Sequence, residues 1–131
     1  MGNIEKIPYT DSFFDCVIDN ECLYCNNLEN TKIILRDISR VLKVDGLLYS
    51  RTFADNMYVG RTQTQISDFE FDDVSDGPFV NKGYTRLINR NGITKLYGQF
   101  FHMVSIDRLI STLNNDEIVI SEWIIVCQKL R

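Results

Sequence analysis

Proline is nearly absent from this sequence: Pro8 and Pro78 are the only two in 131 residues. No Pro-, Gly- or Ser-rich tract marks a linker or a disordered arm. The 44% hydrophobic and 24% charged content fits one globular domain, residues 1–131. No apolar run approaches the roughly 18 residues of a membrane span. MGNIEKIPYT carries no apolar signal core. Lys and Arg are scattered and the net charge is −4, so neither nucleic acid nor an anionic membrane is expected as a main partner. Four cysteines are too few for a disulfide scaffold, which implies reduced thiols and a cytoplasmic protein. The glycines, at 2, 46, 60, 77, 83, 92 and 98, include no G-x-G pair. No metal set is complete either. Cys22-x-x-Cys25 would need two more ligands, and only Cys16, Cys127 and His102 remain. Small apolar filler is the default for those thiols. Asp72, Asp73 and Asp76 before Gly77 fail the calcium-loop pattern at Val74 and Gly83. They read as an acidic loop.

What is present is an ordered set of elements. PYTDS opens with turn chemistry, and residues 14–19 (FDCVID) read as a buried strand. ENTKIILRDISRVLK is an amphipathic helix. Ile34, Ile38, Val41 and Leu42 form one stripe widened by Leu35, Asn30 or Thr31 is a candidate N-cap, and Asp45-Gly46 is the stop. Residues 46–53 (GLLYSRTF) read as a second strand, which makes a βαβ unit with parallel strands. Residues 54–82 are acidic and poor in aliphatics, an expected insertion or lid loop. Residues 90–98 favour a short helix capped by Asn89 over a hairpin at Asn91-Gly92. FHMVSIDRLISTL, the turn NNDE and IVISEWIIVCQK then favour an antiparallel pair, although Arg108 breaks the alternation of the first segment and a helix capped by Ser105 competes for it; His102 is a strand residue and Trp123 lies in the core.

With those elements in place, NIEKIPYTDSFFDCVIDNECLY followed by RDISRVLKVDG resembles the second half of class I S-adenosylmethionine-dependent methyltransferases. In that family a similar loop precedes the fourth strand and a similar helix leads to the fifth. SEWIIVCQK resembles the family's last strand, antiparallel between strands five and six. The resemblance implies an α/β fold: a partial Rossmann-like methyltransferase sheet of parallel strands plus an antiparallel C-terminal strand, with the N-terminal β-α units missing. Only seven residues precede Pro8, so a truncated, fragmentary or split form is expected.

The family's residues carry over as follows. Asn3 and Ile4 stand where the adenine is held, and Asp19, Asn20 and Leu23 border the rest of the S-adenosylmethionine. Tyr24, Arg51 and Phe53, with Thr52, are expected to face the methyl acceptor, a small molecule. An acceptor that must lose a proton needs a base, and Asp19 or Glu21 fits that role. Activity by the chain alone is not expected without a glycine loop. The competing expectation is a non-catalytic remnant that self-associates, as a homodimer or larger homo-oligomer, through the exposed edge of residues 14–19.

Overall fold

The computed structural model describes residues 6–130. Strand β1 (Phe14–Asn20) leads through a 3-10 turn (Leu23–Cys25) into helix α1 (Leu28–Val41), and β2 (Leu42–Phe53) follows at once. β1 and β2 pair in parallel, as the βαβ reading requires. The helix begins earlier than the sequence suggests. Its cap is Asn27, whose side chain accepts from the Asn30 N–H at 2.8 Å. It also ends earlier, at Val41, so Asp45-Gly46 does not stop it. Residues 43–46 instead form a bulge: Phe14 pairs with Leu42, while Cys16 pairs with Leu47. Asp45 takes φ 66° there, and a Cβ on Gly46 would meet the Lys43 carbonyl at 2.7 Å.

Arg40, the arginine of SRVLK, explains why that motif and the PYTD turn occur together. It reaches Asp37 at 2.7 Å, Asp11 at 2.8 Å and the carbonyls of Ile7 and Tyr9 at 2.9 Å, tying the entry loop to α1.

Residues 54–82, expected as a loop, are ordered. β3 (Thr64–Ser67) and β4 (Glu70–Asp72) pair, and β5 (Thr85–Arg86) completes a small antiparallel sheet. Its core is largely aromatic: Phe53, Phe71 and Phe79 cluster with Met57, Val74 and Leu87. The shortage of aliphatics hid this second core. Helix α2 (Arg90–Tyr97) is capped by Asn89 as expected. β6 (Phe101–Leu113) and β7 (Ile118–Lys129) form the expected antiparallel pair. Asn114, Asn115 and Asp116 all take positive φ in the intervening turn.

The main sheet runs β1-β2-β7-β6, with β7 antiparallel between β2 and β6. Both helices cover one face: Ile34, Leu35 and Ile38 of α1 and Ile93, Leu96 and Tyr97 of α2 meet Leu48, Trp123, Ile125 and Cys127. Trp123 is core, its indole N–H donating to the Ile88 carbonyl at 2.8 Å. The other face is open. Ile18 is 71% exposed and Leu47 39%. β1 is therefore not buried on both sides. It is an edge strand covered on one face, because the described residues supply helices to only one side.

Candidate active site

Open α/β sheets bind ligands beyond the carboxyl ends of their parallel strands. Here that edge is where β1 and β2 end, with Asp19 opposite Ser50 and Asn20 opposite Arg51. Side chains alternate along a strand. Asp19 and Ser50 therefore point toward the helices, Asn20 and Arg51 to the open side.

On the helix side a polar chain crosses the core. Ser50 Oγ donates to Asp19 Oδ2 at 2.7 Å and lies 2.9 Å from Tyr97 Oη. One hydroxyl has one proton, so Tyr97 must be the donor to Ser50. Asp19 Oδ1 accepts the Cys22 N–H at 3.1 Å. Burial pushes the Asp19 carboxyl above its ordinary range, against the lowering effect of these bonds. It also raises the Tyr97 phenol. Asp19 is thus at the expected strand end, but 6% exposed and committed to internal partners.

On the open side stands an acid pair bridged by a cation. Arg51 Nη2 donates to both Glu122 oxygens at 3.0 Å, and its Nε lies 3.9 Å from Glu21 Oε1. That Nε is buried without a hydrogen-bond partner. Glu21 sits at φ 58°, and its N–H donates to the Arg51 carbonyl at 2.9 Å. Its pKa is pushed up to about 7 by burial and by Glu122, with Arg51 opposing. A carboxyl near 7 can take up a proton at neutral pH.

The acceptor-side residues form an aromatic wall. Tyr24 meets Phe53 edge-on at 4.9 Å between ring centroids and stacks on Phe79 at 5.5 Å. Asn20 is exposed at the rim. Three expectations fail. Leu23 is 3% exposed and joins the core, away from any cleft. Thr52 is 2% exposed and faces the core, since neighbouring strand residues cannot share a side with Arg51 and Phe53. Cys22 and Cys25 are exposed and are not filler. No group of metal-ligating side chains forms among the described residues. Asn3 and Ile4 lie outside the described residues.

Sequence reasoning missed Ser50, Tyr97, Phe79 and Glu122. Two had a signal. Ser50 is a small polar residue inside GLLYSRTF, and Glu122 is the one acid within IVISEWIIV. A polar residue inside a buried strand needs a partner.

This arrangement fits what the chain matches. A family model described as a methyltransferase domain matches residues 1–114. The chain belongs to the methyltransferase domain family. Its fold is similar to that of an S-adenosylmethionine-dependent methyltransferase from Methanosarcina mazei: TM-score 0.77, 18% identity, 98% of this chain and 65% of that one. It is also similar to a Burkholderia thailandensis 1,6-didemethyltoxoflavin-N1-methyltransferase solved with 1,6-didemethyltoxoflavin and S-adenosylhomocysteine bound: TM-score 0.66, 14% identity, 94% and 47% coverage. A putative methyltransferase from Bacillus halodurans matches at TM-score 0.65, 12% identity, 99% and 70% coverage. This chain therefore spans about half to two thirds of the length of such structures. No curated protein matches it. No described helix is long and apolar enough to cross a membrane.

Proposed function

We propose that this chain forms one wall of a methyl-transfer site for a small-molecule acceptor and needs a further part of the cofactor pocket to act. The observation that carries this reading is the rim at the ends of β1 and β2, where Asn20, Glu21 and Arg51 stand together in a methyltransferase domain. The residues present fit S-adenosylmethionine in part. Asn20 offers exposed polar atoms at the strand end, while Leu23 is turned away and no G-x-G pair occurs in the sequence. When bound, that cofactor supplies a methyl group on a positively charged sulfur, which makes the carbon electrophilic.

The chain's own residues supply orientation and proton chemistry. Tyr24 and Phe53, backed by Phe79, form an apolar wall suited to a flat or aliphatic acceptor. Glu21 takes the proton that a hydroxyl or amine acceptor loses as its lone pair is used. Arg51 holds Glu122 beside Glu21; burial and Glu122 hold back ionisation of Glu21, and Arg51 partly offsets them. Asp19 fixes the turn at Cys22 and does not reach the acceptor. Calorimetric titration of the chain with S-adenosylmethionine tests the need for a further part: no binding is expected, and micromolar binding would overturn it.

A second reading is favoured by the uncovered sheet face. Cys16, Ile18, Leu47 and Tyr49 share that face with Ile124 and Val126. A non-catalytic module that self-associates through this face and the free edge of β1 would hide the apolar surface. Light scattering separates the readings: a monomer at micromolar concentration counts against self-association. Proteins of this make-up are expected in the cytoplasm.

A further inference from the structure

A cavity of about 300 Å³ lies among α1, the small sheet and α2, and shares no residue with the rim around Glu21. Its walls are mainly apolar, with Leu28, Phe69, Leu87 and Leu96 among them. At its margin is Arg86, only 4% exposed. A buried cation is costly unless a counter-ion and full hydrogen bonding compensate it. Arg86 has neither in full. Nε donates to the Asn26 carbonyl at 3.1 Å, and Nη2 to the Leu23 carbonyl at 3.3 Å and to Thr31 Oγ1 at 3.0 Å. These acceptors are all neutral. Nη1 has no hydrogen-bond partner among the described residues. No carboxylate among them lies within ion-pair distance of this guanidinium.

The other charges around the cavity favour an anion. Glu70 is the one acid in its lining; it pairs opposite Arg86 across β4 and β5 and attracts it from beyond ion-pair distance, while its oxygens are engaged by Tyr84 Oη at 2.5 Å and Ser67 Oγ at 2.7 Å. Lys32 and Lys95 stand on the two flanking helices. Lys32 has only a long contact with Glu29, 3.5 Å, and Lys95 has no ion-pair partner among the described residues. The lining thus carries three cations against one occupied acid. The rest of the wall excludes water and favours a hydrocarbon body. A carboxylate matches a guanidinium edge in charge and geometry.

We propose that this cavity binds a small amphipathic carboxylate, its acid group supplying Arg86 with a directly contacting counter-ion and its apolar body lying against the leucine and phenylalanine walls. The site is separate from the methyl-transfer rim, and the proposal does not rest on that reading.

The test uses 4-phenylbutyrate and its neutral amide as matched probes, followed by amide-proton NMR on the whole chain. The acid is expected to bind at least about tenfold tighter than the amide, corresponding to one charge-assisted interaction. Shifts should centre on residues 86–96, away from residues 19–21. Added salt should weaken the acid and leave the amide unchanged. Arg86→Gln removes the counter-charge but also cuts the ties to Leu23 and Asn26, so it can unfold the turn. The pair Lys32→Glu, half-buried, with Lys95→Glu, exposed, leaves those ties intact and should weaken the acid about tenfold. Equal binding of acid and amide, absence of binding up to about 10 mM, or an unchanged affinity in the lysine variant would each overturn the proposal.

Discussion

Replacing Ser50 with alanine should be among the most damaging one-atom changes in this chain. The hydroxyl is fully buried and serves two partners at once, Asp19 Oδ2 at 2.7 Å and Tyr97 Oη at 2.9 Å. Its loss removes a bond to a charged group, about 1.5–3 kcal/mol, and strands a buried phenol, about 1–3 kcal/mol. Relaxation recovers part of this, so the net cost should be about 3–4 kcal/mol, a large share of the roughly 5–15 kcal/mol that stabilises a domain of this kind. Tyr97→Phe alone should cost only about 1 kcal/mol, because Ser50 keeps its bond to Asp19. Combined with Ser50→Ala, the same change should cost nothing or restore stability, since it removes the stranded hydroxyl.

The double-mutant cycle therefore carries a coupling of about 1–2 kcal/mol. Urea unfolding, followed by far-ultraviolet circular dichroism and the fluorescence of the single Trp123, reads all four corners. With a slope of about 1–3 kcal/mol per molar, the midpoint should move by about 1–4 M for Ser50→Ala. The pH dependence supplies a second readout. Asp19 is raised by burial from its ordinary 3.8, so the folded state holds its proton longer than the unfolded chain. Its contribution is greatest below the unfolded value and is lost as pH rises through the folded value. Ser50 partly lowers that value, so Ser50→Ala should extend the decline to higher pH. A cost below about 1 kcal/mol, or strict additivity with Tyr97→Phe, would refute the chain Asp19–Ser50–Tyr97 as a connected unit.

Three further changes probe other parts of the structure. Glu122→Gln should bring the Glu21 pKa down from about 7 toward its ordinary 4.5, by removing the neighbour that raises it; carboxyl NMR titration reads the value directly. Because the raised value makes ionised Glu21 unfavourable in the fold, wild-type stability should fall between pH 4.5 and about 7, and the variant should lose the part of that slope due to Glu122 and keep the part due to burial. Asn27→Ala should cost about 1 kcal/mol by removing the α1 cap, and Asn30→Ala, which keeps its backbone N–H, about a quarter of that; equal costs would contradict the cap assignment. Ile18→Asp should change monomer stability by about 0.5 kcal/mol or less while abolishing any self-association seen by light scattering; a larger loss of stability would mean that the residue is covered.

The βαβ unit was legible because periodicity and turn chemistry agreed there, and the closing hairpin because its turn and β-branched last strand outweighed the break that Arg108 makes in residues 101–113. The stripe Ile34, Leu35, Ile38, Val41 and the triplet Asn114, Asn115, Asp116 each admit one reading. The small sheet was not legible, since β3 to β5 are two to four residues long and too short to show a period. Its core rests on aromatics far apart in sequence. The acidic rim was half legible. Asp19 and Glu21 stand one residue apart in DNE, but nothing local says which is buried. That depends on Ser50, Tyr97 and Glu122, contributed by β2, α2 and β7.

Those three partners decide how the two acids differ. Asp19 has its carboxylate spent on Ser50 and on the Cys22 N–H, so a role as base would require breaking bonds that hold the turn. Glu21 has no such duty. It is partly exposed, held by a 3.9 Å contact to Arg51, and raised to about 7 by burial and its acidic neighbour. Glu122 is 71 residues from Arg51 in sequence, so the last strand sets the proton affinity of the rim. If the site transfers methyl groups to a proton-bearing acceptor, Glu21→Gln should remove the base while leaving the fold intact, and Asp19→Asn should disturb the turn before it disturbs the chemistry. The pH–rate profile of the assembled site would tell them apart. Loss of the limb near pH 7 is expected in Glu21→Gln and its retention in Asp19→Asn, and the opposite pattern would return the role to Asp19.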